Sequence, residues 1–129
     1  MALLTKQAIF SAQDLPYEDV SVPEWGGEVR LQALTGAQRD AWEMDMFGAD
    51  ASGRNMKNAR AKLIVRCAVD ETGAPIFTRE DVDVLGEKSA AALDRLFSVA
   101  KRINRIGTED VNELVGNSNT SPTDDSTSV

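Results

Sequence analysis

The chain has 129 residues, 42% of them apolar, and a formal net charge of −7, which suits one domain large enough to bury a core without metals or disulfides. It has no His and a single Cys, so the side chain best suited to proton transfer at neutral pH is missing and no internal disulfide is possible. Residues 1–53 carry 3 basic and 9 acidic side chains, residues 54–106 carry 11 and 7, and residues 107–129 carry 0 and 5. That balance disfavours nucleic acid, whose phosphates require dense Lys and Arg. It leaves acidic flanks free to contact the basic middle or to steer a basic partner. No apolar run of about 18 residues offers a membrane span. MALLTKQAIF lacks the basic start of a secretion signal, and a cytoplasmic protein is expected.

In chain order, TKQAIFSA (residues 5–12) predicts a short helix capped by Thr5. Residues 17–34 read as a β-hairpin, with Tyr17, Val20 and Val22 on one arm and Val29, Leu31 and Ala33 alternating on the other. Pro23 and Gly26-Gly27 supply the bend, and Trp25 sits at the turn. Thr35 with Gln38 three residues on forms a capping box for a helix over 35–47, whose apolar side is Ala41, Trp42, Met46 and Phe47. A flexible loop covers 48–53. A helix over 55–69 follows, with Met56, Ala59, Leu63, Ile64, Cys67 and Ala68 as its buried stripe and Asn58, Lys62 and Arg66 on another face. Cys67, inside LIVRCAV, reads as a small buried hydrophobe.

Asp70 to Pro75 is a turn, which Ile76-Phe77 anchors to the core. Thr78 caps a short helix over 79–86, with Asp81 at its third position. The clearest helix covers 88–106, where Leu93, Leu96, Phe97, Ala100 and Ile103 recur at helical spacing and Gly107 marks the stop. A last helix is expected over 108–115 and a disordered polar tail over 116–129. The fold class is mainly α, or α+β by strict count: an N-terminal hairpin packed on a small bundle of about five helices, forming one domain over 1–115.

The acid pairs Glu80-Asp81 and Asp124-Asp125 fall in a helix first turn and in the polar tail, so they read as capping or solvated charge rather than a catalytic pair. DETGAPIFTRED departs from a calcium loop, placing Thr72 and Ala74 where acidic or amide ligands are needed and Pro75 where Gly is needed. No catalytic, metal or cofactor site is expected. The candidates for partner binding are Trp25 at the hairpin tip, the basic face Arg95, Lys101, Arg102 and Arg105, and a second apolar strip, Ala92, Val99 and Ile106, beside the main one. Each has an inward reading too: a Trp packed on its own domain, a solvated helix face, and ordinary core.

Two phrases carry a resemblance. VPEWGGEVRLQALTGAQRDAWE (residues 22–43) and VDETGAPIFTREDVDVLGEKSAAALDRLF (residues 69–97), followed by a polar tail starting Asn117-Ser118, resemble the tail assembly chaperones of long-tailed bacteriophages over about residues 9–118. The resemblance implies a non-enzymatic factor that coats the tape measure protein, a long helical rod, and keeps it soluble in the host cytoplasm until tail tube subunits polymerise around it. It also implies absence from the finished virion. A longer product made by programmed ribosomal frameshifting near the 3′ end of the gene is implied as well, with an extra domain that recruits the tail tube protein. Self-association is a further expectation: the acidic N-terminal region of one copy against the basic middle of the next, head to tail. The alternatives are a structural head–tail connector or tail-completion protein of the virion, and a small helical regulator that binds nucleic acid, against which the net charge argues.

Overall fold

The computed structural model describes residues 2–47 and 56–107. The loop expected over 48–53, the helix expected over 108–115 and the polar tail lie outside the described residues.

Thr5 accepts a hydrogen bond from the Ala8 amide and starts helix α1 (Lys6–Ser11), as its sequence predicts. The hairpin follows: β1 (Tyr17–Val22) pairs antiparallel with β2 (Gly27–Gln32), with Val20 opposite Val29 and Val22 opposite Gly27. A short 3₁₀ turn, Pro23–Trp25, closes it. Gly26 takes the left-handed conformation there, at φ 78°, which glycine adopts without penalty. Val20 and Val22 are buried, together with Leu31 and Ala33. Tyr17 does not share their face. Side chains alternate along a strand, so an odd-numbered residue points away from Val20 and Val22. Tyr17 is exposed, with the Arg30 guanidinium 4.1 Å from its ring centroid, and Arg30 also grips Asp19 at 2.7 Å.

Helix α2 (Gly36–Phe47) opens on the expected capping box: Gln38 N–H donates to Thr35 Oγ1 at 3.1 Å, and Thr35 N–H to Gln38 Oε1 at 2.9 Å. Helix α3 (Ala59–Cys67) is shorter than the expected 55–69. Its last two residues become β3 (Ala68–Val69), which pairs with β2 through Leu31–Ala68 and Arg30–Val69 and widens the hairpin to a three-stranded sheet. Pairing with β2 satisfies backbone groups that a further helical turn would otherwise have used. Met56 is exposed rather than part of the buried stripe, whereas Ala61 and Val65 are buried with Leu63, Ile64 and Cys67. Helix α3 is thus enclosed on most sides, touching α2, α5 and β2.

After the Asp70 turn, Ile76 is exposed, and Phe77 alone packs against the core. Thr78 and Asp81 form a reciprocal capping box over a 3₁₀ turn (Arg79–Asp81) that continues into α4 (Val82–Leu85). The main helix, α5 (Ala90–Ile103), is capped by the Ser89 hydroxyl. It stops before Gly107. Arg105 adopts the left-handed conformation (φ 56°), its amide donates to the Arg102 carbonyl at 3.1 Å, and the Ile106 amide donates to Lys101 at 2.8 Å. This is a Schellman ending in which an Arg occupies the position glycine usually holds, and it folds Ile106 back into the core.

Candidate partner-binding surfaces

Arg95, Val99 and Arg102 are spaced so that they run down one line of α5, and Ile106 lies beyond its end. That line faces the hairpin, with which α5 packs along both β1 and β2. Arg95 makes a two-pronged contact with Glu24, at 2.8 and 2.9 Å. Arg102 reaches Glu18 at 2.9 Å. Val99 lies between them, half-buried against the core, and Ile106, folded back past the helix end, is buried in the core. Ala92, one turn above, is fully buried. The second apolar strip is therefore internal, because α5 is roofed on one side by α3 and on the other by the sheet.

The same pairs show that part of the acidic N-terminal region already meets the basic middle inside one chain. Glu24 and Glu18 each have a basic partner on α5. The Arg95 guanidinium, and to a lesser extent the residue's own backbone, hold the Glu24 carboxyl down at about 2. The Arg30 hydrogen bond likewise lowers Asp19, on the far face of the hairpin. Arg105, exposed at the helix end, and Lys101, whose ammonium sits 4.8 Å from the Phe97 ring centroid, complete the basic group.

Trp25 is half-buried on its own core, at the rim of a hollow of about 250 Å³ lined by Phe77, Asp81, Val84, Leu85 and Lys88. The hollow is mostly apolar, and Val84 at its edge is 70% exposed. Sequence reasoning found Trp25 but not its neighbours. Phe77 and Val84 come from the segment after the Asp70 turn, more than fifty residues away, and only the packed fold brings them beside the hairpin tip.

A second feature was also missed. Helix α1 buries no residue; Leu3 is 96% exposed and Phe10 78%, with Leu4 and Ile9 also largely exposed. The available signal was Leu3, Leu4, Ile9 and Phe10 in and just before a helix too short to be stable alone.

Asn104 ties the far end of α5 to the rest. Its side-chain oxygen accepts from the Leu34 amide at 2.7 Å, and its amide donates to the Ala100 carbonyl at 2.9 Å and to the Cys67 sulfur at 3.4 Å. Cys67 is fully buried, and burial pushes its thiol up to about 12, so it has no nucleophilic character at neutral pH. Asp70, the first residue of the segment weighed as a calcium loop, accepts instead from the Thr72 hydroxyl and from the Thr72 and Ala74 amides. Among the described residues no group of three or more Asp, Glu, Cys or His is placed to hold a metal, and no helix is long and apolar enough to cross a membrane.

The family model described as phage tail assembly chaperone matches residues 4–114. No curated protein matches. Among solved structures, the tail assembly chaperone of bacteriophage HK97 superposes with a TM-score of 0.52 at 22% identity, covering 69% of this chain and 85% of that one. At that identity the likeness speaks for the fold alone.

Proposed function

We infer that this chain, which belongs to the phage tail assembly chaperone family, is a non-enzymatic factor that binds the tape measure protein and keeps it soluble until tail tube subunits polymerise around it. The observation that carries the reading is the span of the family match, residues 4–114, which takes in every described element from the N-terminal arm to the end of α5. The physical features agree with it. Charged side chains along the α5 seam are paired internally, and the apolar surface that remains outside, on α1 and around the Trp25 hollow, suits a partner with exposed apolar helical faces. Modest contacts repeated along a rod hold by their sum, and the polymerising tube protein strips them one at a time. In this reading the chain acts in the host cytoplasm and leaves before the virion is complete. A longer frameshift product carries the domain that recruits the tail tube protein. Several copies act side by side on one rod.

The test is co-expression with the tape measure protein encoded in the same genome, scoring soluble yield of the rod and its co-purification with this chain at low and high salt. A rod that is soluble and retained only in the presence of this chain supports the role, and retention that survives salt assigns the contact to apolar surface. A rod that stays insoluble and never co-purifies ends the reading for this product. Peptides of this chain in purified virions would favour a structural connector or tail-completion protein.

A further inference from the structure

We propose that the groove between α2 and residues 75–79 is a docking site for an acidic peptide segment of a partner protein. It holds one Asp or Glu carboxylate between Arg66 and Arg79, with an apolar neighbour of that residue against Phe77. The proposal stands apart from the rod-binding reading above. Its test uses short peptides and this chain alone, so either can fail without the other.

The groove is built on the polar face of α3, where Asn58, Lys62 and Arg66 recur at four-residue steps. Asn58 donates to Asp83 of α4 at 2.9 Å. Arg66 donates through Nε and Nη2 to one Asp45 oxygen, at 3.1 and 2.6 Å. Arg79, from the segment after the Asp70 turn, approaches the other Asp45 oxygen at 3.4 Å. One carboxylate thus stands between two guanidiniums, and the trio carries one positive charge in excess. Arg66 and Asp45 are mostly buried, whereas the Arg79 side chain is 75% exposed. Its long contact with Asp45 leaves most of its five N–H donors for a ligand. The acids beside it in sequence are engaged locally: Asp81 accepts from the Thr78 amide at 2.8 Å, and Glu80 from the Thr78 hydroxyl at 3.1 Å.

The lining selects the ligand. Beside the two arginines, a hollow of about 160 Å³ is bounded by Gln38 and by an apolar wall of Val65, Pro75 and Phe77. The Gln38 oxygen is already taken by the Thr35 amide at 2.9 Å, so what Gln38 can offer is its N–H₂ group. Guanidinium has donors and no acceptor. The free polar groups are therefore donors, and they call for a group that only accepts. A carboxylate meets that demand and matches the planar fork of arginine. Asp45 shows that both arginines can close on one carboxylate. The apolar wall asks for carbon next to the charge. A bare inorganic anion leaves that wall uncovered, whereas an acidic side chain with an apolar neighbour covers both parts. The overall charge of −7 keeps a polyanion such as nucleic acid away, while a single carboxylate can reach one locally basic spot. The hollow has room for a side chain rather than a helix, so the contact is weak taken singly.

The experiment titrates two end-blocked pentapeptides, Ala-Leu-Glu-Leu-Ala and Ala-Leu-Gln-Leu-Ala, into the full chain labelled with nitrogen-15, and follows the arginine Nε–H signals by NMR. The Glu peptide is expected to bind saturably, with a Kd of about 1 mM, and to shift the Arg66 and Arg79 signals. The Gln peptide binds about tenfold more weakly or worse. Arg79→Gln alters an exposed side chain and keeps the fold, checked by circular dichroism, yet weakens the Glu peptide about tenfold. Arg79→Lys recovers only part of that loss, because an ammonium is a point charge without the fork. Asp45→Asn removes the internal competitor and tightens binding. Equal binding of the two peptides, unchanged binding in Arg79→Gln, or shifts centred on Arg95 and Arg102 overturns the proposal. A folded Asp45→Asn that binds more weakly than the wild type overturns it as well. Inorganic phosphate that binds as tightly as the Glu peptide does so too, by assigning a bare anion site.

Discussion

Helix α5 and helix α1 both carry large apolar side chains behind a well-formed cap, Ser89 in one and Thr5 in the other. In α5, Ala92, Leu93, Leu96 and Ala100 are buried, whereas α1 buries nothing. The first has fourteen residues and two roofs, α3 and the sheet; the second has six and buries none of them among the described residues. The contrast separates two uses of apolar surface. Along α5 it is the source of stability, and the polar side chains flanking it align the hairpin. On α1 it contributes little to the fold and remains available for recognition.

Mutations should divide along the same line. Leu96→Ala, at a fully buried position between α3 and the sheet, is expected to lower stability by about 2–5 kcal/mol in chemical denaturation. Asn104→Ala leaves the Leu34 amide without its partner and is expected to cost about 1–3 kcal/mol by the same measurement. Arg105→Gly relieves the left-handed strain at the end of α5 and should raise stability in the same measurement by about 0.5–1 kcal/mol after the added freedom of the unfolded chain is deducted.

The Glu24–Arg95 pair gives a pH signature. The Glu24 carboxyl lies below its ordinary 4.5, at about 2, so its contribution is complete above pH 4.5 and is lost as pH falls toward 2. Glu24→Gln should therefore melt below the wild type at neutral pH, with the gap closing across that window and shrinking in salt, since the pair is exposed to solvent. Phe10→Lys should shift stability by no more than about 0.5 kcal/mol. A large loss there would place α1 on the core and dissolve the contrast.

The local signals read correctly from sequence. Thr5, Thr35 and Thr78 each cap the element they precede, because a cap involves only residues three positions apart. The burial of Cys67 and the inward faces of Val20, Val22 and Leu31 follow from local pattern as well. What the sequence left open was decided at a distance. Ala68 and Val69 have a helical pattern behind them but become a strand because β2 offers them partners. Arg95 and Arg102 look like a free basic face because their acidic partners stand 71 and 84 residues earlier. Ala92 and Ile106 look surplus until both the sheet and α3 are counted as covers. Arg105 gives no sign of its left-handed turn, since Gly107 nearby is the residue the rules favour.

Cys67 makes the molecule its own clock. The thiol lies beneath α5, hydrogen-bonded by Asn104 and almost wholly protonated at neutral pH, so a thiol reagent meets it only in molecules whose core has opened. The labelling rate of the single native cysteine therefore counts excursions from the closed state without any engineered probe. Phe10→Lys, on a helix that buries no residue, should leave that count unchanged, while Leu96→Ala should raise it.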